Sequence, residues 1–209
     1  MNQKPSSPRP ERADAQKKRA QVLAAAADLF ATQGLELTLD TVARHAGVGI
    51  GTVYRKYESV EQLAGEVFIP RMISLAEAAR SFAEQAAAAP EEAFRGWIWT
   101  LAEIMATEPG FAQLMLTKTG LAGVSRCEDF HRAAMAAFEA EINLLQQVKQ
   151  AGLVHPGFTR ADIGLLLFAI RGLVTQTADP ALSDWRQLTS YLLTGFFTWR
   201  PQTSAATPV

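Results

Sequence analysis

The 209-residue chain has one cysteine, Cys127, so no disulfide can form within it. That suits a reducing compartment. Histidine is almost as scarce, with only His45, His131 and His155. No phosphate loop, G-x-S-x-G elbow or H-E-x-x-H pair occurs, and no enzyme activity or catalytic residue is expected. Cys127 and His131 lie four apart, but no second Cys/His pair is near, so neither a metal nor another cofactor is expected. Long apolar runs are also missing. IGLLLFAIRGLV is broken by Arg171 and falls short of the roughly 18 residues of a membrane span. The opening MNQKPSSPRPERADAQKKRA has no apolar core of a secretory signal, and the expected location is the cytoplasm. Sustained two-residue alternation between hairpin turns is absent too, which argues against a sheet protein.

What is present is helical periodicity and an uneven spread of charge. Nine basic and six acidic residues leave residues 1–60 at +3, while the remainder carries −4. A basic front and an acidic back suggest two tasks on one chain. Residues 1–12, rich in proline, are expected to form a flexible basic arm. Apolar residues at Val22, Leu23, Ala26, Ala27, Leu29 and Phe30 then mark an amphipathic helix from Asp14, ended by Gly34. Thr38 can cap a short second helix over 39–45, closed by Gly47. GVGIGTVYRKY follows, giving a third helix to about Tyr57. Ser59 and Gln62 have the spacing of a capping box for a fourth. Beyond it the pattern predicts helices near 70–88, 91–107, 111–118, 127–151, 160–178 and 183–199, and then a flexible tail at 201–209. The fold class expected is all-α.

Helix, tight glycine turn and helix over 38–57 has the form of a helix-turn-helix. Its second helix must pack one face, Val48, Val53 and Tyr57, and present the other to a DNA major groove. Gly49 and Gly51 let the backbone approach the duplex, and Ile50 suits a thymine methyl. Thr52 and Tyr54 offer hydroxyls, Arg55 and Lys56 charge. Residues 23–68, LAAAADLFATQGLELTLDTVARHAGVGIGTVYRKYESVEQLAGEVF, resemble the DNA-binding domain of the tetracycline-repressor (TetR) family of bacterial transcriptional regulators. The resemblance implies a three-helix DNA-binding domain over 14–68 and a larger helical effector-binding and dimerisation domain over 70–200. It assigns DNA contacts to Thr38, Ile50, Gly51, Thr52, Tyr54, Arg55 and Lys56, with Gly49 standing where many members have Ser. Val60 stands where a phosphate-binding Lys is common, and the basic residues from Arg9 to Arg19 are expected to offset that loss.

The resemblance further implies a homodimer through the last two helices. Candidate interface residues are Leu166, Ile170, Val174, Leu188, Leu192 and Phe196, within an apolar surface that runs on to Trp199. Candidate lining for an effector pocket is Trp97, Met105, Phe111, Met115, His131 and Met135, although such residues at helical spacing serve equally as core. The segment AFRGWIWTLAEIMATEPGFAQLM, with Trp185 in the last helix, resembles an SbtR-like subgroup. The expected function is therefore a repressor, bound to a palindromic operator in double-stranded DNA and released by an unknown small-molecule effector, with no membrane partner. A helical interaction or small-molecule-binding module with a vestigial helix-turn-helix is the alternative.

Overall fold

A computed structural model describes residues 10–117, 122–124, 127–176 and 184–197, and no strand occurs among them. The expected tail, Trp199 and residues 1–9 of the expected arm lie outside the described residues. The chain divides into two compact units, 1–68 with 109–128, and 69–108 with 129–209.

In the first unit, α1 (Pro10–Gln33) buries Val22, Ala25, Ala26, Leu29 and Phe30. Gly34 ends it at φ 72°, a left-handed conformation that costs glycine little. α2 (Leu39–Ala46) and α3 (Ile50–Tyr54) follow across a turn closed by Gly47 at φ 66°. The Val48 N–H returns to the Ala43 carbonyl at 3.1 Å across that turn.

α4 (Val60–Val67) is capped by Ser59, whose hydroxyl accepts from the Gln62 N–H at 3.2 Å. The reciprocal bond reaches one residue further back than the spacing predicts, to the Glu58 N–H at 2.7 Å. α7 (Pro109–Leu116) also belongs here, although more than 40 residues separate it from α4. Phe68 bridges the packing, stacked on Phe30 at 5.7 Å and meeting Phe111 edge-on at 5.4 Å. Gly110 makes that fit possible, because a Cβ there would lie 2.8 Å from the Phe30 side chain. Gln113 of α7 accepts from the Leu35 N–H, tying α7 to the turn after α1.

The second unit contains α5 (Ile69–Gln85), α6 (Pro90–Thr107), α8 (Glu128–Gln150), α9 (Arg160–Gln176) and α10 (Trp185–Phe197). α5 carries Pro70 in its first turn, where the missing N–H has no helical partner to lose. Its core is aromatic around Phe94, whose ring meets Phe158 at 6.0 Å and Phe197 at 5.9 Å. A buried carboxylate, Glu141 at 5 % exposure, joins three helices. It accepts from the Trp97 indole N–H at 3.1 Å and from the Arg160 guanidinium, which also lies over the Phe138 ring. No described helix is long and apolar enough to cross a membrane.

Candidate nucleic-acid interface

The short third helix has two unlike faces because its residues alternate in size and polarity at helical spacing. Val53 and Tyr57, four apart, are buried at 1 % and 3 % exposure. Ile50 and Tyr54, also four apart, are 53 % and 50 % exposed. An isoleucine standing half in water on an anchored helix has nothing in its own chain to gain from that position. The helix is shorter than expected. It ends at Tyr54, and the Lys56 and Tyr57 N–H groups both return to the Val53 carbonyl, so Arg55 and Lys56 stand on a closing turn.

Space around the two glycines has the same direction. A Cβ at Gly51 would meet nothing within 4 Å, and one at Gly49 only the Thr52 hydroxyl at 4.0 Å. Neither position needs glycine for packing, unlike Gly110.

Thr38 caps α2, its hydroxyl accepting from the Thr41 N–H at 3.2 Å, and it remains exposed beside the first turn of the helix. Asp40, in that turn, was not singled out by the sequence, yet its carboxylate, by attracting the Tyr54 phenol proton, is the main cause that pushes the Tyr54 pKa above its ordinary value. Its Oδ1 atom is buried without a hydrogen-bond partner among the described residues.

Glu66 plays the corresponding part for Lys56. The Lys56 ammonium, the Tyr57 hydroxyl and the Arg19 guanidinium all converge on its carboxylate, at 3.0, 2.7 and 2.6 Å. Burial disfavours the charge on Glu66, but the bonds from Tyr57, Lys56 and Arg19 outweigh it and hold the pKa below the ordinary value. Burial, and then the bond to Glu66, pushes the Tyr57 phenol up. No sequence signal marks Glu66, since its partners come from α1 and from the turn after α3, up to 47 residues away. Thr38, Gly49, Ile50, Gly51, Thr52, Tyr54, Arg55 and Lys56 thus all lie on α2, α3 and their flanking turns, in one unit.

The candidate pocket residues are divided between the two units. Trp97 and Met105 are buried on α6 of the second unit, and Phe111 and Met115 belong to α7 of the first. His131 is exposed and Met135 is 43 % exposed, both on α8. Among the described residues, no three His, Cys, Asp or Glu side chains come together as metal ligands.

On the last two helices, Leu166 and Ile170 are buried within their own chain, and Phe196 packs on Phe158 at 5.0 Å. Val174, Leu188 and Leu192 are half-buried. The outward apolar residues are instead Leu165, Phe168 and Tyr191, at 69 %, 56 % and 67 % exposure.

Residues 22–67 match the family described as bacterial regulatory proteins, tetR family. Among solved structures, HlyIIR, a hemolysin II transcriptional regulator, is 20 % identical with a TM-score of 0.58, covering 88 % of this chain and 99 % of that one. The fatty acid degradation regulator FadR from Bacillus halodurans is 18 % identical with a TM-score of 0.55, covering 87 % and 99 %. A TetR transcription regulatory protein from Mycobacterium vanbaalenii is 28 % identical over 90 % and 99 %, with a TM-score of 0.47. No curated protein matches. The HlyIIR and FadR likenesses establish the fold, and the match over 22–67 covers the helix-turn-helix.

Proposed function

We propose that this chain, which belongs to the tetR family of bacterial regulatory proteins, is a repressor that leaves its operator when a small molecule binds. It is a DNA-binding transcriptional regulator. The observation that carries the reading is α3 itself, fixed from behind by Val53 and Tyr57 while Ile50, Gly51 and Tyr54 face outward. In the proposed complex this helix enters the major groove. Ile50 and the bare backbone at Gly51 meet the bases, and Thr38, Tyr54 and Lys56 hold phosphates on either side.

One such helix reads only a half-site. A homodimer through α9 and α10, with Leu165, Phe168 and Tyr191 in the contact, would place two copies about 34 Å apart on a palindrome. The effector would bind the second unit near α6, where Trp97 and Met105 sit. Near-complete release requires the effector to favour the DNA-incompetent form by about 5.5 kcal/mol.

The test is a mobility shift of the purified protein on DNA from upstream of its own coding region, across a salt series, followed by unbiased selection from random duplexes. Specific, salt-steep binding to one palindromic segment is expected, and Tyr54→Phe and Lys56→Ala should each weaken it without unfolding the protein. If neither substitution changes affinity, α3 does not dock as described. If selection yields no preferred site, the repressor reading fails.

A further inference from the structure

Beside the recognition face the first unit holds a cleft of about 330 Å³ between α1 and the end of α3. Val22, Val53 and Tyr57, all buried, form its apolar floor. Its rim is cationic, with Lys18 and Arg19 from α1 facing Arg55 and Lys56 from the turn after α3. Two carboxylates offset part of this charge. Asp14 pairs with Lys18 at 2.7 Å, and Glu66 is shared by Arg19 and Lys56. Four cations against two anions leave the rim at a net of about +2.

The sharing by Glu66 has a geometric result. Two like charges that would otherwise repel are drawn to one carboxylate, and a single carboxylate cannot neutralise both. Arg19 presents Nε and one terminal nitrogen to Glu66, so further guanidinium N–H groups remain to be donated. An ammonium likewise carries three donors, and the Lys56 side chain is 42 % exposed. Thr52, which carries a hydroxyl donor, lines the same cleft. These are hydrogen-bond donors of the kind that bind an oxyanion, above a floor that lowers competition from water.

We propose that this cleft is a phosphate site, and that its occupant is a backbone phosphate of the bound duplex, taken by Lys18 and Arg19 of α1 together with Lys56. The inference rests on the DNA-binding reading above and adds α1 to the interface. Three of the lining residues, Thr52, Arg55 and Lys56, lie in or directly after the helix that faces the bases, so a strand flanking that helix passes the mouth of the cleft. Val60, at the start of α4, offers no charge, and the α1 cations supply on one side of α3 what α4 lacks. Glu66 is the positioning residue that holds Arg19 and Lys56 together. Asp14 competes with the phosphate for Lys18.

The experiment measures the dependence of log K on log salt for Lys18→Ala, Arg19→Gln, Asp14→Asn and Lys17→Ala, with unfolding monitored by circular dichroism. Lys17 carries the same charge one residue away and does not line the cleft. Loss of one phosphate contact lowers the slope by about 0.9, so a dimer that loses one per copy lowers it by about 1.8, or roughly twelvefold in affinity between 50 and 200 mM salt. Lys18→Ala and Arg19→Gln should each show that loss, more than Lys17→Ala, and Asp14→Asn should tighten binding. Should Arg19→Gln unfold the protein, Arg19→Lys takes its place, and Lys18→Ala alone still decides.

Equal losses at Lys17 and Lys18 would overturn the site in favour of a diffuse positive field. Phosphate contacts are independent of sequence, so the same slopes are read on a random duplex. The site can therefore stand even if no operator is found, and it can fall while operator binding survives. A separate arm compares thermal stability in inorganic phosphate and in chloride at equal ionic strength. Stabilisation by phosphate that disappears in Lys18→Ala, with DNA slopes unchanged, would mean that the cleft takes a free anion and would overturn the DNA assignment.

Discussion

The ammonium of Lys56 lies 3.0 Å from one oxygen of Glu66 and 3.1 Å from the other, while the Tyr57 hydroxyl donates to the same carboxylate at 2.7 Å. A residue expected to touch DNA is thus tied to one that no motif marks. Glu66→Ala should destabilise the first unit by roughly 1–3 kcal/mol, because it leaves the buried Tyr57 hydroxyl without its acceptor. Glu66→Gln keeps an acceptor and should cost less.

The same carboxylate makes stability depend on pH in one direction. The folded-state pKa of Glu66 is lowered, so its contribution is complete above the ordinary carboxylate range and is lost as pH falls through the lowered value. Thermal melts from pH 7 to about pH 3 should therefore fall less steeply for Glu66→Gln than for the wild type. Parallel curves would mean that Glu66 is not the charge being titrated.

Gly51→Ala separates folding from recognition. Among the described residues no atom opposes the added methyl, and alanine is the better helix former by up to about 1 kcal/mol. The variant should melt no lower than the wild type while binding its operator at least tenfold more weakly. Unchanged affinity would show that no base pair approaches the backbone at that point.

Phe168→Glu tests the outward face of α9. In water the change from an exposed phenylalanine would leave stability within about 0.5 kcal/mol. In a dimer contact it buries a charge on both copies. Sedimentation should show a shift toward monomer, and operator affinity should fall with it. A variant that remains dimeric would place the contact elsewhere.

Glu141→Ala should unsettle the second unit. It removes the acceptor of the Trp97 indole and the partner of Arg160, and the expected loss is about 2 kcal/mol, moderated because Arg160 is 46 % exposed. Trp97→Phe, which removes only the indole end of the network, should cost less on this account. Denaturant unfolding of both variants gives the ranking.

Helix positions were legible because their signals are local. Gly34, Gly47, Thr38 and Ser59 mark ends by their own conformations and hydrogen bonds, and each stands where the sequence pattern put it. The two faces of α3 could be read from the four-residue spacing of Ile50 and Tyr54 against Val53 and Tyr57. Its early end could not, since the tight turn to the Val53 carbonyl leaves no trace in residue type. On α9, apolar residues run almost all round the helix. Periodicity therefore could not say that Leu166 and Ile170 turn inward while Leu165 and Phe168 turn outward. Asp40 and Glu66 were invisible for another reason, because their roles arise from partners brought near only by folding.

The return of residues 109–128 to the first unit bears on how such a protein can be taken apart and recombined. The chain passes between the units three times, after Phe68, Glu108 and Glu128, so the DNA-reading part is not a cassette with one seam. A graft cut only at residue 68 would carry away Phe30 and Phe68 but leave behind the Phe111 ring and the Gly110 backbone they pack against. Exchange of the second unit between relatives, by engineering or by descent, therefore keeps the packing of the first intact only when α7 travels with the head.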